Sequence, residues 1–372
     1  MQRKVHIPFL DVRQTYFELR GELDDAISRV LHSGTYIQGD EVCEFELDFA
    51  SYVEAKYCVG VGNGLDALKL ALKAVGVEEG DEVIVPSHTF IATWLAVTHC
   101  GAIPIPVETE PNGYNLDLSA ITNAITTRTK AIIVVHLYGQ PASIEEVLNI
   151  AHQYDLRVVE DAAQAHGAVY KGRRIGGHSD AVAWSFYPGK NLGAFGDGGA
   201  VTTDNEDVAK SIRSAGNYGA VIKYQHDELG TNSRLDPIQA ALLKVKLRYL
   251  DVWNANRKKI ADVYLEELRS LGSRLPMVVP ETNSSWHLFV VQFDDRDEIK
   301  KQLKNAGIES AIHYPTPPHL QKAYAVIHAG QIFPRSEKLA STVLSLPIGP
   351  HMNLSDAHYV SDEILNALKM LS

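Results

Sequence analysis

The sequence predicts an α/β protein with a large domain built on a mostly parallel β-sheet and a smaller C-terminal α+β domain. Between about residues 55 and 205, short apolar runs alternate with segments in which apolar residues recur at helical spacing. The apolar runs are nearly continuous, which is typical of parallel strands that helices cover on both faces. After residue 270 the pattern changes, which indicates a second, smaller unit.

Each element of the large domain follows from one of these two patterns. Near-continuous apolar runs predict strands at residues 57–61, 82–85, 103–107, 131–135, 156–159 and 181–187. Helical spacing predicts helices at residues 65–75, 91–99, 118–125 and 144–154. Because ligands of such sheets bind at the carboxyl ends of the strands, the loops after the strands are expected to carry the functional residues.

The rest of the chain is predicted to form a connecting helix and the small domain. Residues 236–270 have the pattern of a long amphipathic helix. The small domain is predicted to contain strands at 286–293, 310–314 and 343–347 and helices at 297–306 and 355–370. These patterns divide the chain into a large domain with an N-terminal arm (1–235), a bridging helix (236–270) and a small domain (271–372).

Composition and charge exclude several classes of protein. The chain has 46 Asp and Glu residues against 35 Lys and Arg, and its net charge of -11 disfavours nucleic acid as a partner. No apolar run approaches the roughly 20 residues of a membrane span. The 3 cysteines have no C-x-x-C spacing, which suits a reducing cytoplasm. His313 and His319 lack a metal-ligand spacing, so no catalytic metal is predicted.

Several distinctive features lie at strand ends of the same predicted sheet. The segment GNGLDA (62–67) joins a strand to a helix, and bare backbone before a helix N-terminus can bind phosphate. Asp161 ends another strand, Ser185 and Lys190 follow a third, and Phe90 follows the strand at 82–85. Taken singly, each has an ordinary explanation, namely a tight turn, a helix cap, a solvated loop lysine or core packing.

Taken together, these features match the requirements of pyridoxal phosphate. The phosphate of this cofactor needs a cradle, its ring nitrogen a carboxylate, its ring an aromatic face and its aldehyde a primary amine. A lysine beside the cationic ring gives up its proton more easily, as a nucleophile and proton carrier must. We therefore predict a pyridoxal-phosphate enzyme with Lys190 as its catalytic residue.

The sequence also resembles the DegT-type (DegT/DnrJ/StrS) family of pyridoxal-phosphate nucleotide-sugar aminotransferases. The resemblance rests on motifs that follow one another across nearly the whole chain: GNGLDAL (62–68), PSHTFIAT (86–93), EDAAQAHGA (160–168), SFYPGKNLGAFGDGGAV (185–201), TNSRLDPIQAALL (231–243) and SAIHYPTPPHLQ (310–321). It implies the aspartate-aminotransferase-like fold, known as the type I pyridoxal-phosphate fold. It also implies a role for each matching residue.

The residues around the cofactor ring are assigned by this resemblance. Lys190 would form the Schiff base with the aldehyde, and Asp161 would pair with the pyridine nitrogen. Gln164 would contact the ring hydroxyl, and Phe90 would stack on the ring.

The residues around the cofactor phosphate are assigned in the same way. Gly64, Leu65 and Ser185 would hold the phosphate. Asn232 matches an asparagine that in the family reaches the cofactor phosphate of the neighbouring subunit. The resemblance therefore implies a homodimer with composite active sites, and two-fold symmetry is the commonest arrangement of oligomers.

The reaction that the resemblance implies is transamination of a sugar. L-Glutamate would give its amino group to C3 of a dTDP-3-keto-6-deoxyhexose, yielding a dTDP-3-amino-3,6-dideoxyhexose and 2-oxoglutarate. The segment YPGKNLG (187–193), with tyrosine before the proline, favours C3. Ketosugars with the carbonyl at C2 or C4 remain alternatives, and the galacto and gluco epimers are not separated. Substrate contacts are expected from Tyr36, Tyr187, Lys223, Arg234, His313 and Tyr314.

Other functions explain less of the sequence. An NAD(P)-dependent oxidoreductase would use residues 62–67 as its G-x-G-x-x-A loop, but the next strand ends in PSH (86–88) where a ribose-binding acid is expected. It would also leave Lys190 and Asp161 without a role. A dehydratase of the same family would lack the lysine. A sensor that has lost turnover is a third alternative, and no added DNA-binding segment supports it.

Overall fold

The computed structural model describes residues 6–222, 224–277 and 279–371. Over these residues the α-helices are α1 (Arg13–Ser33), α2 (Asp40–Tyr52), α3 (Gly64–Ala74), α4 (Ile91–His99), α5 (Leu118–Ala124), α6 (Ile144–Gln153), α7 (Glu206–Ala215), α8 (Pro237–Leu247), α9 (Leu250–Glu267), α10 (Arg296–Asn305), α11 (Pro334–Thr342) and α12 (Leu354–Leu371).

The strands over the same residues are β1 (Tyr57–Val61), β2 (Glu82–Pro86), β3 (Ile103–Val107), β4 (Thr129–Val135), β5 (Arg157–Asp161), β6 (Val169–Tyr170), β7 (Arg173–Arg174), β8 (Ala181–Ser185), β9 (Gly199–Thr203), β10 (Thr282–Asn283), β11 (Phe289–Gln292) and β12 (Val343–Leu346). β10, β6 and β7 form a small antiparallel sheet, and β11 pairs with β12.

The remaining strands form a 7-stranded sheet in the order β1-β9-β8-β5-β4-β2-β3. From β8 to β3 all neighbours are parallel, while β9 is antiparallel to both β8 and β1. β1 therefore points in the same direction as the parallel strands. As a result, the carboxyl ends of β1, β2, β4, β5 and β8 all lie at one edge of the sheet.

Helices cover both faces of this sheet. Val83 and Val85 of β2 pack in one apolar cluster with Leu72 of α3, whereas Ile84 between them packs in another with Phe49 of α2. Successive strand residues point to opposite faces, so a strand that is buried on both faces must be apolar at every position. This explains the near-continuous apolar runs in the sequence.

The C-terminal part of the chain is built around β11 and β12. Ile260 and Tyr264 of α9 pack against Phe289 of β11 and Val360 of α12, and all four side chains are buried. α8 and α9 occupy most of the segment predicted as a bridging helix, with a turn at residues 248–249 between them. The division of the chain into domains stays a prediction.

One predicted strand is wrong. Residues 310–314 do not form a strand, because Ala311 makes only an isolated bridge to Ser345. The chain then reaches Pro315 and Pro317, which lack the N–H group that a further ladder would need. β9 was not predicted because it starts within a glycine-rich stretch, and α1, α2, α7 and α11 were not predicted either. Within the described residues, no helix combines the length and apolar character that crossing a bilayer requires.

Candidate active site

Lys190 lies in the loop after β8, at the edge of the sheet where the parallel strands end. Its backbone N–H donates a 2.8 Å hydrogen bond to the carbonyl of Tyr187, which closes the turn. Its ammonium group makes no hydrogen bond or ion pair within the described part of the chain. Burial lowers the pKa of Lys190 to about 8, against the opposing charge of Asp161. A substantial neutral fraction of the amine is therefore present near physiological pH.

Asp161 is the last residue of β5, and 7% of its surface is exposed. The hydroxyl of Thr93 donates to its Oδ2 at 2.9 Å, and the backbone N–H of Ala163 donates to its Oδ1 at 3.2 Å. Burial raises the pKa of Asp161, while these hydrogen bonds and the charge of Lys190 lower it. The result is a fixed, buried carboxylate that can receive a cationic N–H group.

The N-terminus of α3 and Ser185 form a narrow cradle. The side chain of Asn63 caps α3 by accepting a 2.9 Å hydrogen bond from the N–H of Asp66. The preceding N–H groups of Gly64 and Leu65 have no partner within the helix, and the helix dipole adds positive potential there. A Cβ on Gly64 would lie 2.6 Å from the Cβ of Ser185. This close approach leaves backbone donors and a hydroxyl facing one small space, which suits a phosphate.

Gln164, Phe90 and Tyr314 come together beside Asp161. The amide of Gln164 donates to the hydroxyl of Tyr314 at 3.0 Å and accepts from the backbone N–H of Tyr138 at 2.6 Å. The rings of Phe90 and Tyr314 lie 5.4 Å apart, and 54% of Phe90 is exposed. Burial raises the pKa of Tyr314, and the charge of Asp161 adds to this. An exposed aromatic face and an amide therefore flank the carboxylate.

His313 is adjacent to this group and is neutral at physiological pH. Its Nδ1 lies 2.8 Å from the hydroxyl of Ser345, and its carbonyl accepts a hydrogen bond from Tyr138. Burial lowers the pKa of His313 to about 4, and the charge of Lys190 contributes to the shift. Because the charge of Lys190 affects the pKa of His313, this histidine lies in the electrostatic environment of the site.

These residues fit pyridoxal phosphate. A partly buried amine that makes no ion pair within the described residues, a buried carboxylate, a cradle that a Cβ would fill and an exposed aromatic face are what the cofactor requires.

A model of the DegT/DnrJ/EryC1/StrS aminotransferase family matches residues 18–365. The chain belongs to this family. Its curated relatives include the erythromycin biosynthesis sensory transduction protein EryC1 of Saccharopolyspora erythraea, which is 52% identical over 95% of this chain and 97% of the relative. The dTDP-3-amino-3,4,6-trideoxy-alpha-D-glucose transaminase of Streptomyces venezuelae is 51% identical over 96% of this chain and 95% of the relative.

Two further similarities extend the comparison. The dTDP-3-amino-3,6-dideoxy-alpha-D-galactopyranose transaminase of Aneurinibacillus thermoaerophilus is 49% identical over 96% of this chain and 98% of the relative. The crystal structure of DesV from S. venezuelae superposes with a TM-score of 0.95 at 50% identity, over 97% of this chain and 98% of that chain. These findings confirm the predicted family, fold class, enzyme class and pyridoxal phosphate cofactor. They also exclude the alternative function of an NAD(P)-dependent oxidoreductase.

The side chains of other predicted site residues of this aminotransferase do not contact the Lys190 group within the described residues. Tyr187 and Tyr36 are 61% and 52% exposed, and the hydroxyl of Tyr36 donates to the carbonyl of Leu31. Asn232 is exposed, and Arg234 donates to the side chain of Asn217 at 2.9 Å. Within the described residues, these side chains make no hydrogen bond or ring contact with Lys190, Asp161 or Gln164. Lys223 lies outside the described residues.

The sequence analysis did not find the residues that hold the loop of Lys190. Asn191 is buried, and its amide donates to the side chain of Asn254 at 2.9 Å and to the carbonyl of Ser285 at 2.8 Å. Lys246 donates to the carbonyl of Gly193 at 2.6 Å. The position of Asn191 directly after Lys190 is the one feature of the sequence that could have identified it. Asn254 and Ser285 are 63 and 94 positions from Asn191, and Lys246 is 53 positions from Gly193, so only the fold brings these residues together.

Proposed function

We propose that this aminotransferase moves an amino group from L-glutamate to carbon 3 of a dTDP-3-keto-6-deoxyhexose, giving a dTDP-3-amino-3,6-dideoxyhexose and 2-oxoglutarate. The observation that carries the proposal is the partly buried amine of Lys190, with a pKa of about 8, beside the buried carboxylate of Asp161 and the α3 cradle. Carbon 3 is supported by the names of two relatives, both of which are transaminases of dTDP-3-amino sugars. Those names differ at carbon 4, which carries a hydroxyl in the galactose derivative and none in the trideoxyglucose derivative.

The residues of the site have separate roles in the proposed reaction. Pyridoxal phosphate supplies an aldehyde that takes up the amino group and a ring that accepts an electron pair. The neutral amine of Lys190 would act as a nucleophile and would carry a proton at its Nζ. Asp161 would hold a proton on the ring nitrogen. Gly64, Leu65 and Ser185 would bind the phosphate, while Phe90 and Gln164 would orient the ring. His313 and Tyr314 would contact the substrate.

We further propose that two copies of the chain share their active sites. Asn232, assigned to the phosphate of the neighbouring subunit, is exposed in the single chain. The segment before it also exposes large apolar side chains, among them Val221 at 78% and Leu229 at 98%. Such a concentration of exposed apolar surface is typical of an interface. Arg234, Tyr36 and Tyr187 would then approach the sugar nucleotide from this interface, and Lys223, which lies outside the described residues, stays a predicted substrate contact. We place the enzyme in the cytoplasm, in the synthesis of aminated deoxysugars for surface polysaccharides such as O-antigen or for antibiotics.

Visible absorbance of the purified protein tests the central claim. The wild type should show a cofactor band that changes on addition of glutamate, and Lys190→Ala should alter the band and abolish the change. Lys258→Ala removes an exposed lysine of α9 and serves as the matched control, which should behave as the wild type. No band in the wild type, even after pyridoxal phosphate is added, would reject the proposal.

A ketosugar panel then tests the position of transfer. The glutamate-loaded enzyme should return to its starting spectrum with a 3-keto sugar nucleotide, and much more slowly with 2-keto and 4-keto analogues. The alternative of a sensor without turnover is favoured by the name of one relative, a sensory transduction protein. Failure to return with every ketosugar, despite a normal reaction with glutamate, would support the sensor.

A further inference from the structure

A cavity of about 280 Å³ lies beside Lys190. It is bounded by the N-terminal segment 10–17, by the loop 188–195 and by residues of α8 and α9. This volume is slightly below the roughly 300–1,000 Å³ of pockets for drug-sized ligands, so it suits a small molecule such as an amino acid. It is too small for a whole nucleotide sugar. A ligand in this cavity would lie next to the amine that the proposed reaction uses.

Two buried cations line the cavity. Lys246 of α8 is 3% exposed and Arg257 of α9 is 2% exposed. Lys246 donates to the carbonyl of Gly193, and its Nζ lies 3.7 Å from the centre of the Phe195 ring. No carboxylate of a described residue pairs with either cation. Both are therefore held in a buried environment without a counterion.

Arg257 also has unused donor capacity. Its Nη1 lies 3.2 to 3.3 Å from the backbone carbonyls of Trp286, His287 and Ile348, while its buried Nε has no hydrogen-bond partner. Buried charged groups are normally paired, because removing a charge from water is costly. Burial lowers the pKa of Arg257 to about 10 and that of Lys246 to about 7. An anion in the cavity would offset this cost for both.

The remaining charges of the cavity wall do not supply that anion. Asp11 is the carboxylate among the described lining residues, and Arg13 donates to both of its oxygens at 2.8 and 2.9 Å. His351 is 2.7 Å from Glu18. The interior of the cavity is thus cationic, although the chain as a whole has a net charge of -11. This local reversal of sign indicates a site for an anionic ligand.

We propose that Lys246 and Arg257 bind the carboxylate groups of the amino donor, a dicarboxylic amino acid. The proposal rests on the proposed function, which requires the amino carbon of the donor to meet Lys190. Lys190, Lys246 and Arg257 line the same cavity, so a donor that reacts at Lys190 has both basic side chains in its binding space. The diphosphate of the acceptor carries the same kind of charge, and it is separated from the reacting carbon by the sugar ring. A variant of the cavity should therefore impair the half-reaction with glutamate if the cavity binds the donor carboxylates, and the half-reaction with the ketosugar if it binds the diphosphate.

Lys246→Met keeps the apolar stem of the side chain and removes its charge. In single-turnover absorbance experiments we expect the glutamate concentration at half-maximal rate to rise at least about tenfold, the effect of one charge-assisted hydrogen bond. The return half-reaction with the ketosugar should stay within about threefold of the wild type. Lys246→Arg retains the charge and should recover most of the affinity for glutamate.

Gln239→Leu is the matched control. Gln239 also lies on α8 and holds the same loop, because its Oε1 accepts a 2.8 Å hydrogen bond from the N–H of Phe195. This variant loosens the loop without changing a charge, and its affinity for glutamate should stay within about threefold. An equal loss in Gln239→Leu and Lys246→Met would show that loop position alone is responsible, and would overturn the proposal.

Two further outcomes are decisive. If Lys246→Met reacts normally with glutamate and loses affinity for the ketosugar or for dTDP, the cavity binds the diphosphate and the proposal is wrong. If Lys246→Met does not fold, Arg257→Gln, which removes the charge and keeps a hydrogen-bond donor, is measured instead, and an unchanged response to glutamate in that variant also rejects the proposal. A wild type that fails to react with any amino donor rejects the proposed function itself. The two failures are therefore separable.

Discussion

Gly64 and Ser185 approach each other so closely that a Cβ on Gly64 would lie 2.6 Å from the Cβ of Ser185. The two residues belong to different strand ends, since Gly64 follows β1 and Ser185 ends β8, and β9 separates these strands in the sheet. The absence of a side chain at position 64 therefore creates the space between the helix N-terminus and the hydroxyl. That space is the phosphate cradle of the proposed site.

Gly64→Ala should weaken cofactor binding. The added methyl group meets the Cβ and backbone of Ser185, which cannot move freely because they belong to a central strand. We expect the dissociation constant of pyridoxal phosphate to rise roughly 5- to 150-fold, the effect of overpacking by roughly 1–3 kcal/mol. Absorbance titration of the cofactor-free protein measures this constant.

Gly21→Ala is the control for that experiment. Gly21 lies inside α1, and a Cβ there would meet nothing within 4 Å. The substitution should leave cofactor binding unchanged and stabilise the helix by roughly 0.5–1 kcal/mol. If Gly64→Ala binds the cofactor as tightly as Gly21→Ala, the cradle lies elsewhere.

The sequence was sufficient to predict the sheet and the residues that follow its strands. The apolar runs that become β2, β4 and β5 are unambiguous because both faces of the sheet are buried, and Asp161 is recognisable as the polar residue that ends one of them. The association of Lys190 with Gly64 follows from the same reasoning, since parallel strands share a carboxyl edge. Each of these features is local in sequence, and all of them lie at the carboxyl edge of the sheet.

The parts that could not be predicted depend on distant contacts. β9 begins at Gly199, and its glycine-rich approach resembles a loop until the strand pairs with both β1 and β8. Lys246 and Arg257 carry charges on helices that look amphipathic, so sequence alone favours solvent exposure. Their burial results from how α8 and α9 pack against the loop of Lys190. The residues next to Lys246 and Arg257 in the sequence do not indicate that these two side chains are buried.

Asp161→Asn should slow the first half-reaction without preventing cofactor binding. Asparagine retains the shape but cannot stabilise a proton on the ring nitrogen as a carboxylate does. We expect the single-turnover rate with glutamate to fall roughly 10- to 150-fold, the effect of a hydrogen bond to a charged group. Thr93→Val removes the hydroxyl that donates to Oδ2 and should cost less, roughly 2- to 10-fold. Full activity of Asp161→Asn would contradict the role of this carboxylate.

Cofactor loading should depend on pH through Lys190. Its neutral amine is the reactive form, and burial places its pKa at about 8 instead of 10.5. The rate at which the cofactor-free protein develops its visible band should therefore rise with pH and reach half its plateau near pH 8. Because the charge of Asp161 raises the pKa of Lys190, Asp161→Asn should shift the midpoint to lower pH. A midpoint near 10.5 in the wild type would show that the lysine is solvated.

Hybrid dimers test whether Asn232 acts on the cofactor of the neighbouring subunit. Lys190→Ala removes the reactive amine, and Asn232→Asp places a negative charge where the phosphate is expected. If Asn232 acts across the interface, a hybrid of the two variants has one doubly defective site and one intact site. Co-expression with two affinity tags isolates this hybrid, and we expect about half of the wild-type activity, as two equivalent sites require.

A second hybrid provides the control for this experiment. Lys190→Ala combined with Asp161→Asn places one defect in each site, because both residues belong to the same chain's cluster, and no more than the residual activity of Asp161→Asn should be seen. Should the Asn232 hybrid be equally inactive, Asn232 acts within its own subunit, whereas full activity of the Asn232→Asp homodimer would show that Asn232 has no role. Failure to recover any chain carrying the second tag would show instead that the protein is a monomer. Since Asn232 is exposed in the single chain, the shared site predicts that activity returns only in the first hybrid.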